Sequence, residues 1–132
     1  MSPRTILVVE DDLKLRFIIE KQLLEADFDT VAVEGSDAAL RELETLTPDL
    51  VLLNILLPPG MDGIELCERI RGDRRLARIP VIFLTGSENP ESRARCLAAG
   101  ADDYITKPWQ ASDLIRRISN AIESASSHPR GR

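Results

Sequence analysis

Five times along the 132 residues a short apolar run gives way to a stretch with helical periodicity. The runs are "TILVVE", "DTVAV", "DLVLLN", "PVIFLT" and "DYIT". The first, third and fourth are apolar almost throughout, which is the pattern of parallel strands covered on both faces, whereas a sheet wetted on one side would alternate. Strand and helix in strict alternation predict a doubly wound α/β sheet with right-handed crossovers. The length suits one domain and leaves no room for two. With 43% apolar and only 4% aromatic residues, its core must be aliphatic.

The helical segments carry their own punctuation. In "DLKLRFIIEKQLLEAD" the periodicity places Leu13, Phe17, Ile18, Leu23 and Leu24 near one face. "SDAALRELETL" offers Ser36 as N-cap and carries Leu40 and Leu43, and "GIELCERIRG" runs to a glycine stop. "NPESRARCLAAG" has Pro90 near its start and Gly100 as its C-terminal signal, and "QASDLIRRISNAIES" closes the series. The polar, Pro/Gly-containing residues 125–132 read as a flexible tail or the start of a linker.

Several function classes are disfavoured by composition. The net charge of -5 argues against a nucleic-acid surface, and the basic cluster "RIRGDRRLAR" is interrupted by acid and reads as a solvated helix end. Cys67 and Cys96 have no partner at metal spacing and read as reduced thiols in or near the core. No apolar run approaches eighteen residues and no signal-peptide core precedes the first strand, so a cytoplasmic location is expected.

In a doubly wound sheet, ligands sit beyond the carboxyl ends of the strands. Those ends hold Glu10, Asp11 and Asp12, then Asn54, then Thr85 and Gly86, then Thr106, Lys107 and Pro108. Asp12 alone fits a helix cap. Glu10 and Asp11 end a fully apolar strand, where adjacent charges are costly without a cation, so that pair points to a metal. A hydroxyl and an ammonium opposite them would serve phosphoryl oxygens. Pro108 cannot continue a ladder and suits a tight turn, with a cis bond as an option. Tyr104 reads as a half-buried aromatic of an edge strand.

Taken together, "ILVVEDD", "PDLVLLNILLPPGMDGIEL", "PVIFLTG" and "GADDYITKPW" resemble the receiver domain of two-component response regulators, from Arg4 to Ser124. The resemblance implies a flavodoxin-like (βα)5 sheet with strand order 2-1-3-4-5. It implies a phosphorelay signalling module and not an enzyme. By position, it makes Asp11 a direct magnesium ligand, Glu10 a ligand through water and the Leu56 main-chain carbonyl a further one. Thr85 and Lys107 would contact phosphoryl oxygens, and Tyr104 would be the switch aromatic. The implied partners are a histidine kinase or phosphotransfer protein, with output or self-association through the face around Arg93, Asp102, Asp103 and Arg116.

Two departures stand out. Asn54 occupies the position of the family's phosphoacceptor aspartate, and the turn "LPPGMDG", with Pro58 to Gly60, is one residue longer than usual. A carboxamide oxygen is neutral and cannot give the ordinary acyl phosphate. The chain is therefore expected not to be phosphorylated at position 54, to bind magnesium weakly, and to rest with Tyr104 turned outward. Such a chain is either a disabled form of a working switch or a natural pseudo-receiver that docks partners without phosphate. Binding of a flavin nucleotide at the same switch point would need a small-residue phosphate cradle, and "EDDLK" stands there instead.

Overall fold

In the computed structural model, described for residues 3–57 and 59–127, strand and helix alternate as anticipated. The elements are β1 (Thr5–Val9), α1 (Leu13–Glu25), β2 (Asp29–Val33), α2 (Ser36–Leu43), β3 (Leu50–Leu53), α3 (Gly63–Gly72), β4 (Val81–Thr85), α4 (Pro90–Ala98), β5 (Asp103–Thr106) and α5 (Ala111–Ser127). All strand pairs are parallel and the order is β2-β1-β3-β4-β5. Every residue of β3 and β4 is buried, while β2, at an edge, is only partly covered. That is why β3 and β4 read as continuous apolar runs.

Alternate side chains along the central strands feed two cores. Leu7, Val9, Val51, Leu53, Val81 and Phe83 meet residues of α2, α3 and α4. Ile6, Val8, Leu50, Leu52, Ile82 and Leu84 meet Ile19 and Leu23 of α1 and Leu114, Ile118 and Ile122 of α5. Each fully buried aliphatic side chain contributes about 1.5–3 kcal/mol. Both thiols lie buried in the first core, where the Cys67 thiol donates to the Ala99 carbonyl at 3.4 Å. Burial pushes the Cys96 thiol up to about 11, with Cys67 adding to the shift.

Four local expectations are corrected. The buried row of α1 is Ile19 and Leu23, one turn apart, whereas Leu13, Phe17 and Leu24 are exposed and Ile18 largely so. A second apolar stripe was superimposed on the core-facing one. Gly35, not Ser36, caps α2; Ser36 is its first residue, and its buried hydroxyl donates to the Met61 carbonyl at 2.8 Å. Helix α5 runs to Ser127, three residues past Ser124, while the rest of the expected tail, residues 128–132, lies outside the described residues.

The basic cluster is a solvated helix end at Arg69, Arg74 and Arg78, which are exposed, but not at Arg71, which is half-buried. Arg71 donates to the carbonyls of Gly100, Ile79 and Ala77 and to the Asp102 carboxylate. Arg75 likewise reaches the carbonyls of Leu43 and Leu46 and the Thr47 hydroxyl. Burial pulls the Arg71 guanidinium below its ordinary pKa, with Cys67 pushing it back up.

Candidate functional site

The parallel ladder sets the site residues side by side. Beyond the paired residues Val9 and Leu53, the Glu10 amide donates to Val33 O at 3.0 Å and the Asn54 amide to Val9 O at 3.2 Å. The carboxyl end of β1 therefore lies between those of β2 and β3. On the other flank Thr85 pairs with Thr106, and the next amide, that of Lys107, donates to Thr85 O at 2.8 Å. The Lys107-Pro108 bond is cis. The rim anticipated from the strand ends is thus assembled.

Its electrostatics centre on one ion pair. Lys107 Nζ lies 2.8 Å from Glu10 Oε1, and the Glu10 side chain is only 3% exposed. The other Glu10 oxygen accepts from the Asp12 amide at 3.1 Å, and the Glu10 carbonyl accepts from the Arg16 guanidinium at 2.8 Å. Asp12 also caps α1 through the Leu15 amide, as its structural reading required. Asp11 is exposed and borders a cavity of about 400 Å³ with Glu34, Asp37 and Arg41. Asn54 is half-buried, and its Oδ1 accepts from the following amide, that of Ile55, at 2.8 Å.

These residues offer hard oxygen donors of the type magnesium takes. Their number falls short: both Glu10 oxygens are engaged, position 54 supplies an amide, and no group of three acidic, histidine or cysteine side chains able to hold a metal occurs among the described residues. As arranged, the set offers a cation little beyond the exposed Asp11, since Glu10 is already held by Lys107. The Leu56 side chain is exposed at this rim.

On the opposite flank Thr85 is buried, and its hydroxyl oxygen lies 3.5 Å from the Ser87 amide. Tyr104 is turned inward, against the expectation of an outward ring: it is 3% exposed and its hydroxyl donates to the Ser87 carbonyl at 2.6 Å. The Arg93 guanidinium sits 5.5 Å from the ring centroid and covers it by a cation–π contact. A buried phenol needs a partner for its hydroxyl, and the β4–α4 turn supplies it.

Several positioning residues were not legible in the sequence. Trp109 Nε1 donates to Gln22 of α1 at 2.8 Å, so α1 holds the Lys107 loop through Gln22 and the Glu10 backbone through Arg16. Gly63 opens α3 against the end of β3, where an added Cβ would fall 1.9 Å from the Asn54 carbonyl oxygen. Asp62 before it forms a capping box with Glu65. Pro58 of the longer turn lies outside the described residues.

The fold is the flavodoxin-like α/β sheet of order 2-1-3-4-5, and comparison with known proteins identifies its family. Residues 6–119 match the Response regulator receiver domain family. The chain is 38% identical over 123 residues to the phosphate regulon transcriptional regulatory protein PhoB of Escherichia coli, covering 93% of this chain and 53% of PhoB. It is 36% identical over 124 residues to the DNA-binding response regulator MtrA of Mycolicibacterium paratuberculosis, covering 94% and 53%. It thus spans about half the length of the curated relatives it matches. Among solved structures, a putative response regulator from Chloroflexus aurantiacus superposes with TM-score 0.88 at 30% identity, covering 92% of this chain and 98% of that one. The receiver domain of sensor histidine kinase PA1611 from Pseudomonas aeruginosa, with magnesium in its active site cleft, gives 0.86 at 31%, covering 92% and 99%. The chain belongs to the response regulator receiver family.

Proposed function

We propose that this chain is a receiver module of two-component signalling whose output is a protein contact, and that position 54 does not accept a phosphoryl group. The observation that carries this reading is Asn54 itself, an amide at the carboxyl end of β3 beside Glu10 and across from Thr85 and Lys107. In-line attack on a phosphoryl donor needs an anionic oxygen, and the amide offers a neutral one. A histidine kinase or phosphotransfer protein is the partner class for the Asn54→Asp form. Magnesium binding by the chain as it stands is weak, resting on Asp11 with little help from Glu10.

The test is exposure to a small phosphodonor with magnesium, read by intact mass. The native chain gains no phosphoryl group, and Asn54→Asp gains one that hydroxylamine removes. An adduct on the native chain near the rim overturns the reading.

The inward Tyr104 favours a second reading, a docking module that needs no phosphate. Its ring is held by Ser87 and Arg93 without any phosphoryl group. In that reading the face around Arg93, Asp102, Asp103 and Arg116 carries the contact. Sedimentation distinguishes the two: a tight dimer of the unmodified chain supports phosphate-independent docking, and a monomer that dimerises only as phosphorylated Asn54→Asp supports the disabled switch.

A further inference from the structure

We infer that the groove between α2 and α3 is a docking surface for a basic amphipathic helix of a partner protein. This surface needs neither position 54 nor a phosphoryl group, so its failure would leave the reading of the rim untouched.

Both helices lie on the same side of the sheet, where residues of each enter the first core. Between them runs a groove of about 590 Å³. Its floor is apolar: Ile70 and Leu76 are buried, and Leu40 and Met61 are half-buried. Methionine is unbranched and polarisable and adapts to differently shaped partners, which suits the floor of a docking groove. The main chain beneath that side chain is fixed, because the Met61 carbonyl accepts from the Ser36 hydroxyl.

The walls determine which partner fits. Glu65, Glu68 and Asp73 line the groove and are exposed, against one arginine, Arg69. Among the described residues no ion pair engages any of these four. Glu65 and Asp73 accept only from main-chain amides, those of Asp62 and Arg75. By contrast, Glu10, Asp49, Asp102, Asp103 and Asp113 each have a cation of the chain's own. The acids of the groove therefore keep their charge for a partner. An apolar floor between acidic walls is complementary to a helix whose apolar anchors are flanked by lysine or arginine. The ten residues of α3 span roughly 15 Å, which is room for about two to three turns of such a helix.

The experiment is a titration of the full chain into a dye-labelled peptide of leucine and lysine with one apolar helical face. Fluorescence anisotropy reads the affinity, and amide shifts in NMR spectra locate the contact. Saturable binding that shifts α2 and α3 and weakens with salt is expected. Glu65→Lys/Glu68→Lys is expected to weaken it about tenfold. Glu65 also belongs to the capping box of α3. If circular dichroism shows the double variant unfolded, Glu68→Lys alone, at an exposed position, should weaken binding about threefold. Phe17→Ser, which trims the exposed apolar face of α1, should leave the affinity unchanged. Equal affinity for a peptide of the same composition in shuffled order, shifts confined to α1, or no saturable binding would overturn the inference. So would a dimer of this chain that the peptide dissolves, since the groove would then belong to a second copy.

Discussion

Arg71 and Lys107 are two part-buried cations that tie loops together at opposite places in the molecule, and they do so by different physics. Lys107 is a point charge facing a buried carboxylate at the carboxyl ends of the strands. Arg71 spreads a planar charge over three main-chain carbonyls and one carboxylate, joining the end of α3 to the turns before β4 and β5. A single ion pair can be exchanged for another cation, because the ammonium is compact and makes one strong contact. A fork of bonds to fixed carbonyls cannot, since no other cation reproduces its geometry. The first arrangement suits a site and the second suits a joint.

The comparison is tested most severely at Arg71. Arg71→Ala strands the Gly100 and Ile79 carbonyls and is expected to cost about 3 kcal/mol, read from urea unfolding, with no recovery on adding divalent cations. A loss under 1 kcal/mol, or rescue by magnesium, would erase the distinction.

Alkaline pH should separate the two regions with a somewhat smaller effect. Cys96 of α4, in the same core as Cys67 of α3, has its thiol raised from 9.0 to about 11 by burial. In the unfolded chain the thiol loses its proton first, so its contribution to stability is complete below pH 9 and is lost as pH rises through 11. Over that window the native chain should lose about 2 to 3 kcal/mol through this group. Cys96→Ala starts from a lower stability because of its cavity and declines less. Parallel declines for the two proteins would mean that the thiol is not held protonated.

The smallest effect concerns the rim. Tyr104→Phe removes the hydrogen bond to the Ser87 carbonyl while keeping the buried ring, and should lower stability by about 1 kcal/mol. Hydrogen exchange should quicken in the β4–α4 turn and remain unchanged at the Arg71 joint. Uniform quickening would show that the two regions are one cooperative unit.

What the sequence disclosed follows the range of the interactions involved. β1, β3 and β4 were legible because two-sided burial leaves a continuous apolar run, and Glu10, Asp11, Asn54, Thr85 and Lys107 were legible because strand ends converge by topology. The orientation of α1 was not, since exposed Leu13, Phe17 and Leu24 imitate a core stripe and only packing selects Ile19 and Leu23. Arg71 was misread as solvated because most of its partners are loop carbonyls, which leave no mark in side-chain patterning. The choice of Glu10 by Lys107, and the inward Tyr104, depend on side-chain geometry across three strand ends.

The turn after β3 has its two ends secured separately. Leu57 is buried at one side, and the Met61 carbonyl is held by Ser36 at the other. Gly63 then packs onto the end of β3, its amide donating to Ile55 O at 2.7 Å. An added residue between such anchors changes closure entropy by only a few tenths of a kcal/mol. A change of length between Leu57 and Met61 is accordingly expected to leave the register of β3 and α3 in place.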